Sequence, residues 1–178
     1  MNPAPALSYE FRPLVASLRR EGFSCGEREI DKWFRNSAWD YHTGLRCRVT
    51  TAHAIDGTLL GFYACGITLL EDAHLERQSP LKKHSNGRFF PTLEILYVAV
   101  QQEEQNRGVG TAIMAQIVGV FRDAASTLGV PVMTLRAINE RAARLYSRMG
   151  FNRFGSPLNH LMLLPAQSVL DLPPPDEG

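Results

Sequence analysis

Apolar residues recur at helical spacing in three stretches of the chain, and each stretch predicts a helix with one apolar face. The first stretch begins at Glu27 and closes at Gly44, with apolar positions at Ile30, Trp33, Phe34, Ala38 and Tyr41. The second covers 110–128, and Gly129 stands where a helix C-terminus favours glycine. In the third, Asn139 can cap a helix that runs to Met149 and ends at Gly150.

Stretches rich in β-branched and aromatic residues predict strands between these helices. Residues 48–55 and 58–68 predict an antiparallel pair, because the Asp56-Gly57 dipeptide between them favours a tight hairpin turn. Residues 93–100 form a nearly continuous apolar run, which predicts a strand covered on both faces. Residues 130–136 predict a further strand, and Phe151 begins the last strand segments.

Two segments are less regular. Tyr9 and Phe11 alternate with polar neighbours, but Pro13 limits that strand to a sheet edge or a short piece. Residues 71–87 are polar and long enough to predict a functional or mobile loop that borders a substrate site.

The order of elements is mixed α/β, and 178 residues with 44% hydrophobic composition suit one globular domain. We expect that domain at 8–171. The flanking segments 1–7 and 172–178 are rich in proline and poor in residues that pack, which predicts flexible ends.

The net charge of +1 supplies no overall field that would draw the chain to nucleic acid or anionic lipid. Binding of that kind would need a local patch. The first third offers a candidate patch, for which a solvated face is the alternative reading, at Arg12, Arg19, Arg20, Arg28, Arg35, Arg46 and Arg48.

The three cysteines and five histidines are scattered without the spacing of a disulfide framework or a zinc site, so we expect no metal. The N-terminus has no basic start followed by an apolar run, and no window approaches the roughly 20 apolar residues of a membrane span. These features predict a cytoplasmic protein that does not bind membranes.

A phosphate-binding turn is the most informative local motif. It lies after the apolar strand and before the long helix, with the sequence Gln105-Asn106-Arg107-Gly108-Val109-Gly110-Thr111. Gly108 and Gly110 allow a ligand close to the main chain, and the helix N-terminus adds a partial positive charge. Arg107 can add a charged contact. An ordinary tight turn is the alternative, and neither a Walker loop nor a dinucleotide fingerprint fits these residues.

A second motif makes the family recognisable. Gln-x-x-Gly-x-Gly at Gln105 is followed, after one helix and one strand, by Asn-x-x-Ala-x-x-Leu-Tyr-x-x-x-Gly-Phe from Asn139 to Phe151. Together they resemble the two coenzyme-contacting segments of the GNAT acetyltransferases, over about Leu93 to Phe154. The resemblance implies a single α/β domain with a twisted, mixed, largely antiparallel sheet flanked by helices and splayed at a coenzyme A cleft.

The resemblance also assigns residues to acetyl-coenzyme A. It implies that the turn holds the pyrophosphate and that the preceding strand pairs with the pantetheine arm, through Val98, Ala99, Val100, Gln105, Asn106, Arg107, Gly108, Val109, Gly110 and Thr111. It places Asn139 and Ala142 near the pantetheine region. It assigns Tyr146 the protonation of the departing thiolate, although a tyrosine on a helix is often simply packed.

Glu94 is the candidate base. An alkylammonium with a pKa of about 10.4 must lose a proton before it can attack the thioester. Glu94 interrupts an apolar run, and burial there would raise its pKa towards the range that a base needs. The strand also resembles the base-bearing strand of histone-type GNAT enzymes. An edge-facing or arginine-paired glutamate is the alternative.

Three acceptors or roles remain open at this stage. The first is acetyl transfer to a primary amine of a small molecule or protein, by direct attack in a ternary complex. The second rests on Phe23-Ser24-Cys25-Gly26, Ile30 to Phe34 and Ala38, which resemble GNAT toxins of toxin-antitoxin modules; it implies aminoacyl-tRNA as acceptor and an antitoxin as partner. The third is a coenzyme A-binding module without catalysis. A homodimer is also left open.

Overall fold

The structure, a computed structural model, describes residues 9–71, 82–83, 88–154 and 160–171. The predicted flexible ends and most of the predicted loop at 71–87 lie outside these ranges. Within them the strands are β1 Glu10–Pro13, β2 Arg48–His53, β3 Leu59–Glu71, β4 Phe89–Val100, β5 Val132–Arg136, β6 Asn152–Arg153 and β7 Leu161–Pro165. The helices are α1 Arg28–Asn36, α2 Ala38–Thr43, α3 Val109–Leu128, α4 Glu140–Arg148 and α5 Gln167–Leu170.

The strands form one sheet in the order β1-β2-β3-β4-β5-β7-β6. β1 pairs antiparallel with β2, β2 with β3, β5 with β7, and β6 with β7. β4 pairs with β5 in parallel. This mixed, largely antiparallel sheet flanked by helices confirms the predicted fold class, and β1 takes the edge position that Pro13 predicted.

Three phenylalanine rings form the centre of the first of two compact units, which consists of Met1–Gly66 and Tyr97–Ile117. Phe34 of α1 stacks on Phe62 of β3, with 3.9 Å between the ring centroids and 5° between the planes. Phe23 contacts both rings edge-on. Phe34 and Phe62 are fully buried, so the apolar face of α1 packs where its spacing predicted.

The helix predicted over 27–44 is two helices, so the prediction of one continuous helix was wrong. α1 ends at Asn36, Ser37 has φ −121° and ψ −23°, and α2 begins at Ala38. Asn and Ser side chains compete for backbone hydrogen bonds, which lowers their preference for a helix interior. The apolar spacing survives the break, because Phe34 and Ala38 are both fully buried.

The Asp56-Gly57 turn joins β2 to β3 as predicted. Gly57 has φ +88°, a conformation that costs glycine little because it lacks a Cβ. The turn closes with a 2.9 Å hydrogen bond from Ala54 N–H to the carbonyl of Thr58. β3 then continues to Glu71, beyond the predicted end at residue 68.

The second compact unit, Ile67–Leu96 with Val118–Gly178, is built around β5. All five residues of β5 pair with β7, and all except Arg136 are buried. The guanidinium of Arg122 on α3 donates from Nε and Nη2 to the carbonyl of Val169, at 3.1 and 3.0 Å, and so fixes α5 against α3.

β4 starts earlier than predicted and has buried residues on both faces. It begins at Phe89, before the predicted start at residue 93. Leu93 and Ile95 are buried, whereas Glu94 and Leu96 are half-buried. Phe90 and Thr92 are buried on the opposite face, and no residue of β4 is exposed, which agrees with the predicted strand covered on both faces.

The three cysteines are buried and free. Burial, together with the neighbouring Asp31 carboxylate, raises the pKa of Cys25 to about 12. Burial likewise raises the pKa of Cys65 to about 12 and shifts that of Cys47 upwards. Across the described ranges, no group of three or more His, Cys, Asp or Glu side chains is placed to hold a metal, and no helix has the length and apolar character of a membrane span.

Candidate functional site

The predicted phosphate turn connects the end of β4 to α3. A 3-10 turn at Gln102–Glu104 follows β4, and the backbone then bends through two left-handed residues, Asn106 with φ +62° and Gly108 with φ +90°. A side chain at Gly108 would be strained by this φ whatever the surrounding space. The local backbone therefore needs glycine at this position.

The turn presents backbone donors at the start of α3. The first hydrogen bond into the helix runs from Ala112 N–H to the carbonyl of Gly108 at 3.0 Å. The amides of Val109, Gly110 and Thr111 precede it, and among the described residues they have no backbone acceptor. Converging free amides at a positive helix end are the donors that an anionic phosphate requires.

Two contacts fix the outer side of the turn. The Tyr9 hydroxyl donates to the carbonyl of Arg107 at 3.3 Å. The Arg107 guanidinium lies 3.4 Å from the Glu104 carboxylate; the Arg107 side chain is exposed and that of Glu104 is half-buried. Arg107 lies within the turn and pairs with an acidic neighbour, and its contact with the ligand remains a prediction.

The Gln105 side chain is bonded to protein backbone. Its Nε2 donates to the carbonyl of Cys25 at 2.8 Å and to the carbonyl of Val100 at 3.2 Å. The resemblance places Gln105 at the pyrophosphate, and the place of its main chain there remains a prediction.

The strand before the turn extends past its pairing with β5. The pairing runs from Leu93 opposite Met133 to Ile95 opposite Leu135, and β4 continues to Val100. The main chain of 98–100 therefore lies beyond the three residues that pair with β5, and its role as the pantetheine-binding segment remains a prediction.

Asn139 caps α4. Its Oδ1 accepts a hydrogen bond from Ala142 N–H at 2.9 Å, as the sequence predicted for a helix start. The remaining amide group of Asn139 is exposed. The contact between Asn139 and Ala142 is therefore a helix cap, which by itself explains why an asparagine stands at the start of the second motif.

Tyr146 lies on α4 with its ring edge-on to Phe151, at 5.9 Å between centroids. The residue is half-buried, and within the described part of the chain its hydroxyl has no hydrogen-bond partner. Burial raises the pKa of Tyr146. The side chain therefore keeps its proton on an oxygen that bonds to none of the described residues.

Glu94 is half-buried on β4, in register with the buried Thr134 of β5. The hydroxyl of Thr134 is 3.1 Å from that of Thr92. The neighbours Leu93 and Ile95 are buried, but the carboxylate position itself is not enclosed to the degree that the sequence predicted.

The predicted site residues fall into two groups. Val98 to Val100 and the turn 105–111 belong to the first unit, whereas Glu94, Asn139, Ala142 and Tyr146 belong to the second. Their roles towards the coenzyme and the acceptor remain predictions.

Sequence reasoning missed Asp31. Its Oδ1 accepts from Cys25 N–H at 2.8 Å and its Oδ2 from the Ser24 hydroxyl at 2.9 Å. Burial opposes ionisation, but these hydrogen bonds and the charge of Arg35 prevail and lower the pKa of Asp31. The signal was available, because Asp31 shares the apolar face of α1 with Phe34, three positions later.

The family model described as Acetyltransferase (GNAT) family matches residues 13–151, and the chain belongs to this family. It is therefore an N-acetyltransferase whose acetyl donor is acetyl-coenzyme A. The glycine turn with its free amides fits the phosphates of that donor without help from the overall charge.

Several relatives are similar over most of their length. A tRNA-acetylating toxin of Mycobacterium tuberculosis (strain ATCC 25618 / H37Rv) is 29% identical over 144 residues, which cover 80% of this chain and 83% of the toxin. A tyrosine-to-phenylalanine mutant of KacT has a TM-score of 0.82 at 22% identity, covering 90% of this chain and 96% of KacT. AtaT complexed with acetyl-methionyl-tRNAfMet has a TM-score of 0.81 at 20% identity, covering 91% and 97%. These two structures confirm the predicted fold.

Proposed function

We propose that the chain transfers the acetyl group to the α-amino group of an aminoacyl-tRNA. The observation that carries this proposal is the basic face of α1, formed by Arg28, Lys32 and Arg35. Their spacing of four and three residues puts them on one side of the helix, and all three are exposed. Such a row of cations binds a phosphate backbone by releasing counterions, whatever the net charge of the whole chain.

The acidic residues of α1 do not cancel this face. Asp31 is buried and turned towards Ser24 and Cys25, which leaves Glu29 as the exposed acid of the helix. The exposed surface of α1 is therefore basic, although the chain as a whole is close to neutral.

The second unit carries a further basic face, on α4. Arg141, Arg144 and Arg148 follow one another at spacings of three and four residues and are all exposed. The carboxylate of Glu140, at the start of the helix, forms an ion pair with Arg153. We propose that this face contributes further phosphate contacts.

We therefore favour aminoacyl-tRNA as acceptor over the amine of a small molecule or a protein, which the sequence favoured first. The tRNA-acetylating toxin supports an aminoacyl-tRNA acceptor at 29% identity over 80% of this chain. The basic face of α1 supports the same acceptor independently, because a small amine would gain nothing from a row of three exposed cations.

Acetyl-coenzyme A supplies the acetyl group as a thioester. We assign the pyrophosphate to the turn 105–111, the pantetheine arm to the main chain of 98–100, and neighbouring contacts to Asn139 and Ala142. We assign proton donation to the Tyr146 hydroxyl. Its raised pKa keeps it protonated at neutral pH, and it has a proton to give when a thiolate leaves.

The acceptor chemistry places a modest demand on the base. An α-amino group has a pKa of about 7.7–8.0, so about a tenth of it is already neutral at pH 7, whereas an alkylamine with a pKa of about 10.4 is almost wholly protonated. We assign the removal of the remaining proton to Glu94, which is half-buried.

The test is release of free thiol from acetyl-coenzyme A by the purified protein. Charged tRNA is compared with uncharged tRNA, a polyamine and a lysine-containing peptide. We expect turnover with charged tRNA alone. Tyr146→Phe should lower kcat about a hundredfold or more, with the affinity for acetyl-coenzyme A changed less than about twofold.

Charge reversal of Arg28, Lys32 and Arg35 to glutamate tests the basic face. Each lost phosphate contact should reduce the slope of log affinity for tRNA against log salt by about 0.7–0.9. Faster turnover with the polyamine or the peptide than with charged tRNA would restore the first acceptor class. Binding of acetyl-coenzyme A without thiol release on any acceptor would indicate the non-catalytic module.

We further propose an antitoxin as the protein partner. AtaT has been captured with the C-terminus of its antitoxin AtaR, at a TM-score of 0.74 to this chain. Expression of the wild-type chain should arrest translation, expression of Tyr146→Phe should not, and a binding partner should relieve the arrest.

A further inference from the structure

The segment Ser24-Cys25 is attached to the connection between β4 and the phosphate turn. Ser24 N–H donates to the side-chain oxygen of Gln101 at 3.1 Å, and Gln102 N–H donates to the carbonyl of Ser24 at 2.8 Å. Gln105 completes the attachment through its 2.8 Å bond to the carbonyl of Cys25. Three successive contacts therefore link the two segments, although about 80 residues separate them along the chain.

The other side of the same segment is held by α1. The buried Asp31 carboxylate accepts from both Cys25 N–H and the Ser24 hydroxyl. Each oxygen of the carboxylate thus has one partner, and hydrogen bonds to an ionised group are about twice as strong as those between neutral groups. The Ser24-Cys25 segment is a fixed point, because α1 itself is anchored by the stacked rings of Phe34 and Phe62.

Gln105 connects the Ser24-Cys25 segment to the phosphate turn. It is the residue that immediately precedes the left-handed Asn106, and its Nε2 spans the carbonyls of Cys25 and Val100. Left-handed backbone at a residue other than glycine is costly and persists where surrounding contacts over-determine it. The two bonds of Gln105 act on the residue next to Asn106, and the bond from the Tyr9 hydroxyl to the carbonyl of Arg107 acts on the other side.

We propose that Gln105 is a positioning residue that holds the phosphate turn in its binding conformation by anchoring it to Cys25 and, through Cys25, to Asp31 of α1. The proposal rests on the proposed role of the turn as the site of the coenzyme pyrophosphate. The Gln105 side chain binds protein carbonyls, and the neighbouring backbone amides bind the pyrophosphate. A turn that samples other conformations binds more weakly by the fraction of time it is competent.

The experiment compares Gln105→Met with Gln102→Met. Both replace a glutamine by an apolar side chain of similar length, three residues apart. The Gln102 side chain is exposed and has no hydrogen bond within the described residues, while its backbone N–H is untouched by the change. Two ligands are titrated into each protein by calorimetry: acetyl-coenzyme A and S-acetylpantetheine, which carries the thioester arm without the pyrophosphate.

We expect Gln105→Met to raise the Kd of acetyl-coenzyme A about tenfold, which corresponds to about 1.4 kcal/mol. The Kd of S-acetylpantetheine should stay within about twofold of the wild-type value, and Gln102→Met should leave both unchanged. Gln105→Glu, which keeps the shape of the side chain and faces two carbonyls with a carboxylate, should weaken acetyl-coenzyme A further.

Two results would overturn the inference. One is wild-type affinity for acetyl-coenzyme A in both variants of Gln105. The other is an equal loss of both ligands together with a lowered Tm, which would mean a general structural role. If the wild-type protein binds both ligands with equal affinity, the pyrophosphate gains nothing from the turn, and the proposed phosphate site itself fails.

Discussion

Gly61 on β3 packs so closely against the end of β4 that an added methyl group should destabilise the fold. A Cβ built at this position would be 2.5 Å from the carbonyl oxygen of Ala99, 2.9 Å from Cδ1 of Ile113 and 3.3 Å from Cα of Val100. The side-chain end of Ile113 can move aside, but the other two atoms are backbone. Gly61→Ala must therefore displace the part of β4 that we assign to the pantetheine arm.

The expected loss is that of an overpacked core, about 1–3 kcal/mol. For a chain of this size each kcal/mol lowers Tm by about 2–4 °C, so Tm should fall by about 2–12 °C. Gly119→Ala is the matched control. Gly119 lies exposed within α3 with nothing within 4 Å of an added Cβ, and there the same change should stabilise the protein by about 0.5–1 kcal/mol.

Urea and thermal unfolding of the two variants measure the stability difference, and titration with acetyl-coenzyme A measures the consequence for the ligand. We expect weaker binding in Gly61→Ala and unchanged binding in Gly119→Ala. A Gly61→Ala protein within about 0.5 kcal/mol of wild type, alongside a stabilised Gly119→Ala protein, would refute the close approach of β3 to the end of β4.

Two further predictions concern the acidic residues. Glu94→Gln should lower kcat/KM about tenfold at pH 7 and much less at pH 9, where an α-amino acceptor is already neutral; an equal loss at both values would exclude a role as base. The pKa of Asp31 is lowered in the folded state, so its contribution to stability is complete above its usual value of about 3.9 and is lost as pH falls through the folded value. Asp31→Asn should therefore cost about 1.5–3 kcal/mol at pH 7, and its unfolding free energy should depend less on pH below 5; parallel pH profiles of the two proteins would contradict this.

Short-range signals in the sequence predicted most of the elements. The hairpin at Asp56-Gly57, the cap at Asn139 and the glycine at residue 108 each depend on a few consecutive residues, and each is found where the sequence places it. The break at Ser37 was missed, because an apolar spacing of three to four residues continues across a single non-helical residue.

Contacts between distant segments could not be predicted in the same way. The bond from Gln105 to Cys25 joins residues 80 positions apart, and no local pattern reports it. The burial of Asp31 has the same origin, since its partners precede the helix. The candidate basic patch of the first third included Arg28 and Arg35, but the sequence did not decide between that patch and a solvated face, because the net charge of +1 averages over the whole chain.

Because its cysteines are buried, the thiol-release assay can measure acetyl transfer and the folded state of the protein at the same time. A thiol with a pKa of about 12, as at Cys25 and Cys65, is ionised in only about one molecule in ten thousand at pH 8, and enclosure keeps a thiol reagent from reaching it. In an unfolded chain the pKa of the same thiols returns to about 8.5, and they react with the reagent. With a thiol reagent that changes colour on reaction, signal that depends on the acceptor therefore reports acetyl transfer. Signal that appears without acetyl-coenzyme A, up to three thiols per chain, reports unfolding. An inactive Tyr146→Phe protein can be told from a misfolded one in a single cuvette.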